Sequence, residues 1–138
     1  MQQGRVTLFC RFKLTVVVNR VVLIVDDNKN YVDRLIDLME DSSIANPVIV
    51  ANNYNEATRL IAKEKPGIVL LDMNMPGKSG IEVLRYIKEQ GWDCRVIMVT
   101  NHSNDSYRKL CLEAGADHFL DKSKNFGLIP SLIEKLSA

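Results

Sequence analysis

Charge of one sign is scarce in this chain: 18 Lys and Arg face 17 Asp and Glu over 138 residues, a formal net charge of +1. With no basic excess to neutralise phosphates, direct nucleic-acid binding is not expected, and a partner must be recognised locally, by shape and site chemistry. Cysteine is equally sparse. Cys10, Cys94 and Cys111 are odd in number and lack metal-ligand or redox spacing, so they read as small buried hydrophobes in a reducing cytoplasm. Neither of the two histidines has a ligand partner nearby in sequence. No apolar stretch reaches membrane-spanning length, and Arg11 and Lys13 interrupt the N-terminal segment where a signal peptide needs a continuous hydrophobic region. A soluble, unexported protein without membrane insertion is expected. Internal repeats and low-complexity linkers are absent too. At 138 residues, one domain is expected, with no room for an output domain. Such a domain buries roughly two thirds of the surface of its unfolded chain.

What the chain has is a set of short apolar runs, each closed by a polar residue. Residues 21–25 end on Asp26-Asp27, residues 68–71 on Asp72, residues 96–99 on Thr100, and Phe119-Leu120 stands just before Lys122. Such runs of β-branched and aliphatic residues read as buried parallel strands, and ligands in open α/β sheets bind beyond the carboxyl ends of the strands. Three carboxylates, a hydroxyl and an ammonium are thus expected around one site.

Between the runs the period changes to that of helices. Residues 29–40 place Tyr31-Val32, Leu35-Ile36 and Leu38-Met39 on an apolar stripe, with Asp27 or Asn28 as cap. Residues 47–50 read as a strand and 56–63 as a helix stopped by Lys65-Pro66-Gly67. The cluster Met75-Pro76-Gly77-Lys78-Ser79-Gly80 turns into a helix capped at Ser79 and ended by Gly91. Residues 95–100 give a strand, 105–114 a helix ended at Gly115, and 117–120 a strand. The last helix runs to about Leu136, with Pro130 in its first turn. Five β/α units joined by right-handed crossovers imply a doubly wound α/β fold with a five-stranded parallel sheet of order 2-1-3-4-5.

Asp26 and Asp27 carry the strongest chemical signal. Two carboxylates about 4 Å apart repel by roughly 4 kcal/mol at an effective dielectric near 20, and Asp72 at the neighbouring strand end adds a third charge. Such a cluster needs a cation. Hard oxygen ligands with space left for water and phosphate suit Mg²⁺ better than a closed Ca²⁺ cage or a zinc site. A carboxylate held beside Mg²⁺ can attack phosphorus, and Lys122 and the Thr100 hydroxyl can bind the oxygens that gather charge in the transition state.

Residues 22–28 (VLIVDDN), 69–77 (VLLDMNMPG), 96–100 (VIMVT) and 115–122 (GADHFLDK) resemble, in order, the four signature blocks of the receiver domain of two-component response regulators, over residues 20–138. The resemblance implies a flavodoxin-like fold with Asp72 as phosphoacceptor. It implies that Asp27, Asp72 and the backbone carbonyl of Asn74 hold Mg²⁺ while Asp26 assists through water. Thr100 and Phe119 become the switch pair, Lys122 contacts the phosphoryl group, and Asn74, Asn101 and His102 flank it. The phosphodonor is then a sensor histidine kinase or a histidine phosphotransfer protein, and the output is binding to a downstream protein target. Phosphate on Asp72 is expected to draw Thr100 inward and let Phe119 fill the space behind it.

Two positions depart from the family pattern: Ser123 follows Lys122 where proline is usual, and Asn101 replaces a small residue after the threonine, narrowing access to an acyl phosphate. Residues 1–19 have no family counterpart. Within them Val6, Leu8, Cys10, Phe12, Leu14 and Val16 alternate with mostly polar neighbours, as in a half-buried strand. The extension is either an extra edge strand, its apolar face covered by the domain or by a second copy in a homodimer, or a stretch ahead of the true start.

Other classes fit less well. A phosphatase of the haloacid dehalogenase type needs an acid two residues after its nucleophile, where Asn74 stands and cannot supply a proton. A flavodoxin-like cofactor binder needs amides and hydroxyls after its first strand, where Asp26 and Asp27 repel phosphate. A receiver-like interaction module that does not accept phosphate remains the alternative.

Overall fold

Runs of valine, isoleucine and leucine too short for a helix, each bounded by a turn signal, become five parallel strands. The computed structural model describes residues 20–102 and 104–137; the alternating stretch at 6–16, with its proposed strand or dimer role, lies outside them. The elements run β1 (Val22–Val25), α1 (Lys29–Asp41), β2 (Val48–Ala51), α2 (Tyr54–Glu64), β3 (Ile68–Asp72), α3 (Gly80–Gln90), β4 (Arg95–Thr100), α4 (Asp105–Glu113), β5 (His118–Asp121), a 3₁₀ turn (Phe126–Leu128) and α5 (Ile129–Ser137). The strand order is β2-β1-β3-β4-β5, as expected.

Alternation along the strands sends side chains to two buried faces. Leu23, Val25, Val69, Leu71, Val96 and Met98 pack with α2, α3 and α4, while Val22, Ile24, Ile68, Leu70, Ile97 and Val99 pack with α1 and α5. Both faces being covered explains why the strands read as continuous apolar runs instead of alternating ones. Register then brings the chemistry to one edge: Val25 pairs with Ala51 and Leu71, Asp72 with Val99, and Thr100 with Asp121.

The caps sit where short polar side chains predict them. Asn28 accepts from the Tyr31 amide at 3.1 Å, and Ser79 forms a capping box with Glu82. Several boundaries differ from expectation by one or two residues, β2 among them, and the shifts at α2 and β5 have a visible cause. Helix α2 begins at Tyr54 because Asn53 caps it, accepting from the Glu56 amide, while Glu56 reaches back to the Asn52 amide at 2.7 Å. Strand β5 starts at His118 and extends to Asp121, since pairing with β4 continues as far as Thr100. Gly115, at φ 107°, ends the segment after α4.

Candidate functional site

Four of the five strand ends, all but that of β2, contribute to the site. Asp26 follows β1, its amide bonded to the Ala51 carbonyl; Asp72 and Thr100 are the last residues of β3 and β4; Lys122 follows β5, its amide bonded to the Thr100 carbonyl at 2.8 Å. Asp26, Asp72, Thr100 and Lys122 are 2, 5, 0 and 8 % exposed, and no other Asp, Glu, Lys or Arg is buried among the described residues. Asp27 lies at the open mouth. Asp26, Asp27 and Asp72 each offer a carboxylate oxygen within 4.8 Å of the others.

The Lys122 ammonium is 2.8 Å from one oxygen of Asp26 and 3.7 Å from one of Asp72. The other Asp26 oxygen accepts from the Asn28 amide at 2.8 Å. One buried cation therefore meets two buried carboxylates, and Asp27 adds a third at the mouth. Burial, followed by the charge of Asp26, pushes Asp72 up to about 6, although Lys122 and the Asn74 amide at 3.3 Å pull the other way. This crowding of like charge is what a divalent cation relieves, and the all-oxygen donor set fits Mg²⁺. Burial, then Asp26 and Asp72, also push the Tyr31 phenol upward, so it stays neutral.

Gly80 lets α3 approach the site. A β-carbon there would stand 2.2 Å from the Asp72 carbonyl oxygen, and the Gly80 amide instead donates to the Met73 carbonyl at 3.0 Å. The Thr100 hydroxyl oxygen accepts from the Asn74 side-chain amide at 3.2 Å and from the His102 amide at 3.0 Å. Asn101 and His102 are exposed at the mouth beside Thr100.

Phe119 lies on β5. It is 6 % exposed and already belongs to the core cluster of Met73, Met75 and Cys111, with the Arg108 guanidinium 5.9 Å over its ring.

The turn after Lys122 works without proline. The Asp121 carboxylate accepts from the Ser123 amide at 2.9 Å and the Lys124 amide at 2.8 Å, and the Asn125 side chain accepts from the Asp121 amide at 2.8 Å. Proline at 123 could not donate the first of these bonds. Sequence reasoning missed this turn, although Asp and Asn four residues apart next to Ser and Lys are its signal. It also missed Tyr31 as a neighbour of Lys122, because an aromatic residue on an apolar helical stripe reads as core.

The sheet order and the acidic pocket at its carboxyl edge define the class of two-component receiver folds. The family model for the response regulator receiver domain matches residues 22–134, and the chain belongs to that family. It is similar to a CheY-like response regulator receiver domain protein from Methanospirillum hungatei JF-1 at 28% identity and TM-score 0.75, covering 86% of this chain and 94% of that one. A two-component response regulator of the LuxR family from Aurantimonas sp. SI85-9A1 is 27% identical at TM-score 0.78, over 87% of this chain and 86% of that one. The signal receiver domain of a putative Luxo repressor protein from Vibrio parahaemolyticus is 22% identical at TM-score 0.80, over 87% and 91%, a likeness of fold alone. Receiver domains are signalling modules that typically accept a phosphoryl group, bind Mg²⁺ in an acidic pocket and interact with histidine kinases or phosphotransfer proteins. No described helix is long and apolar enough to cross a membrane.

Proposed function

We propose that residues 20–138 act as a receiver in the cytoplasm that takes a phosphoryl group on Asp72 and signals by binding another protein. The observation that carries this reading is the unbalanced charge: the buried carboxylates of Asp26 and Asp72 and the exposed one of Asp27 lie within 4.8 Å of one another, with the Lys122 ammonium against the two buried ones. An Asp72 oxygen attacks the phosphorus of a phosphohistidine; the O–P bond forms as the N–P bond breaks, and the imidazole leaves and takes up a proton. Lys122 moves from Asp26 onto the phosphoryl oxygens, and the Thr100 hydroxyl donates to another of them. Water later attacks the phosphorus, freeing inorganic phosphate and the Asp72 carboxylate. Asp27, Asp72 and the Asn74 carbonyl would hold Mg²⁺, with Asp26 assisting; when bound, it supplies a Lewis acid that offsets phosphoryl charge.

Thr100 is the proposed sensor. On turning to phosphate it gives up acceptance from Asn74 and His102, which changes the start of the segment leading to α4. Tyr107, Leu110 and Leu112 of α4 and Leu128 are 37 to 54 % exposed, and these apolar side chains suit a protein target better than a nucleic acid. The same exposed side chains also fit a second reading, an interaction module whose surface does not depend on phosphate.

Transfer from a phosphorylated histidine phosphotransfer protein in Mg²⁺ separates the two. Label is expected on wild type and not on Asp72→Asn, and partner affinity is expected to rise on labelling in wild type but not in Thr100→Ala. Undiminished labelling of Asp72→Asn, with no phosphate on a neighbouring side chain, contradicts the assignment; labelling with unchanged partner affinity favours the interaction module.

A further inference from the structure

The chemistry proposed for Asp72 gives Tyr31 no part, yet Lys122 lies against its ring. The ammonium stands 4.5 Å from the ring centroid. Tyr31 projects from the first turn of α1, is 7 % exposed, and its buried hydroxyl has no hydrogen-bond partner among the described residues. A buried hydroxyl without a partner costs stability. The rest of the same stripe is aliphatic, with Val32, Leu35 and Met39. The ring therefore has contacts that the aliphatic part of the stripe lacks, Phe126 on one side and the Lys122 ammonium on the other.

The ring supplies what the carboxylates cannot. A hydrogen bond to Asp26 at 2.8 Å fixes the ammonium at one point, on the Asp26 side of the pocket. To reach a phosphoryl group on Asp72 that bond must be exchanged while the ammonium stays largely buried, where an unpaired charge is costly. An aromatic face attracts an ammonium over a range of positions within about 6 Å of its centroid, so this contact can persist while the hydrogen-bond partner changes. The ring is itself held. It meets Phe126 at 5.8 Å and 66°, and the Arg34 guanidinium lies 5.0 Å over the Phe126 ring. Tyr31 thus joins Lys122 to the 3₁₀ turn that follows the proline-free loop.

We infer that Tyr31 is a positioning residue for Lys122, its ring face holding the ammonium as it passes from Asp26 to the phosphoryl group. The inference rests on the phosphoacceptor reading. Its test is the rate of labelling by a small acyl phosphate, followed by mass spectrometry with Mg²⁺ saturating. Tyr31→Leu is expected to be labelled about tenfold more slowly than wild type, equivalent to about 1.4 kcal/mol. Tyr31→Phe, which keeps the ring, should restore the rate to within twofold. Mg²⁺ affinity by calorimetry should stay within twofold in both variants. In a Lys122→Met background, Tyr31→Leu should cost less than twofold, because the group through which it acts is gone.

A rate for Tyr31→Leu within twofold of wild type overturns the inference and leaves the phosphoacceptor reading standing. A tenfold loss that persists with Lys122→Met, that appears equally in Tyr31→Phe, or that is matched by the loss of Mg²⁺ affinity also overturns it. If wild type is not labelled by either a small acyl phosphate or a phosphohistidine donor, both readings fall together.

Discussion

The two ends of the sheet both carry ion pairs, and they are built on opposite principles. At the amino end Arg20 pairs with Asp93 at 3.1 Å, and Arg95 lies 3.8 Å from Asp93 and 3.6 Å from Asp117, all with side chains between 25 and 69 % exposed. Charges there are balanced and wet, so each pair contributes about 0–1 kcal/mol. At the carboxyl end the side chains of Lys122, Asp26 and Asp72 are 9, 3 and 5 % exposed, and negative charge is in excess. A buried excess costs stability unless something binds to it. The difference separates an edge that closes the fold from an edge kept charged for a ligand.

The largest effect should come from removing the cation at the buried end. Lys122→Met leaves Asp26 and Asp72 buried without their ammonium, and is expected to lower stability by about 3 kcal/mol at neutral pH in chelator, with Mg²⁺ recovering part of the loss. Urea unfolding with and without Mg²⁺ measures it; a loss under 1 kcal/mol would mean that water already balances the pocket.

Removing a carboxylate should act in the opposite direction. Asp72 is pushed up to about 6 from an ordinary value of 3.8, so the folded metal-free protein holds its proton more tightly than the unfolded chain does. Its favourable contribution is fully present below 3.8 and is lost as pH rises through 6. Asp72→Asn in chelator should therefore be more stable than wild type by about 2 kcal/mol at pH values above about 6.5, with the gain vanishing in acid near pH 4. A destabilised variant at neutral pH would mean that Asp72 is there to hold Lys122, and the comparison between the two ends would fail.

A smaller effect is expected at the mouth. Asn101→Ala removes a side chain proposed to flank the phosphate without removing a proposed ligand, so labelling by a small acyl phosphate should accelerate severalfold at matched Mg²⁺ occupancy. Stopped-flow rates that are equal or slower would exclude the steric role. Smallest of all, Asp93→Asn at the exposed end should change stability by less than about 1 kcal/mol, and less still in high salt.

Strand order, both packed faces and the meeting of Asp26, Asp27, Asp72, Thr100 and Lys122 were legible because each group closes an apolar run, and parallel pairing sends all the run ends to one edge. The site's supports were harder to read. Tyr31 sits at a helical spacing that core packing alone would also produce, so its contact with Lys122 depends on how α1 lies across the sheet. The early start of α2 depends on Glu56 reaching back to Asn52, and the turn at 121–125 on two side chains bonding backbone amides. The depth at which Phe119 lies was hard to read for a different reason: it follows from the space beside Met73 and Cys111, which no strand pattern encodes.

Phosphopeptide mass spectrometry after incubation with Mg²⁺ and a small acyl phosphate tests the unbalanced pocket as a phosphoacceptor most directly. A single phosphate on Asp72, absent from Asp72→Asn and from chelator-treated wild type, is the predicted result. An adduct of equal yield in Asp72→Asn, or in wild type stripped of divalent metal, would contradict it.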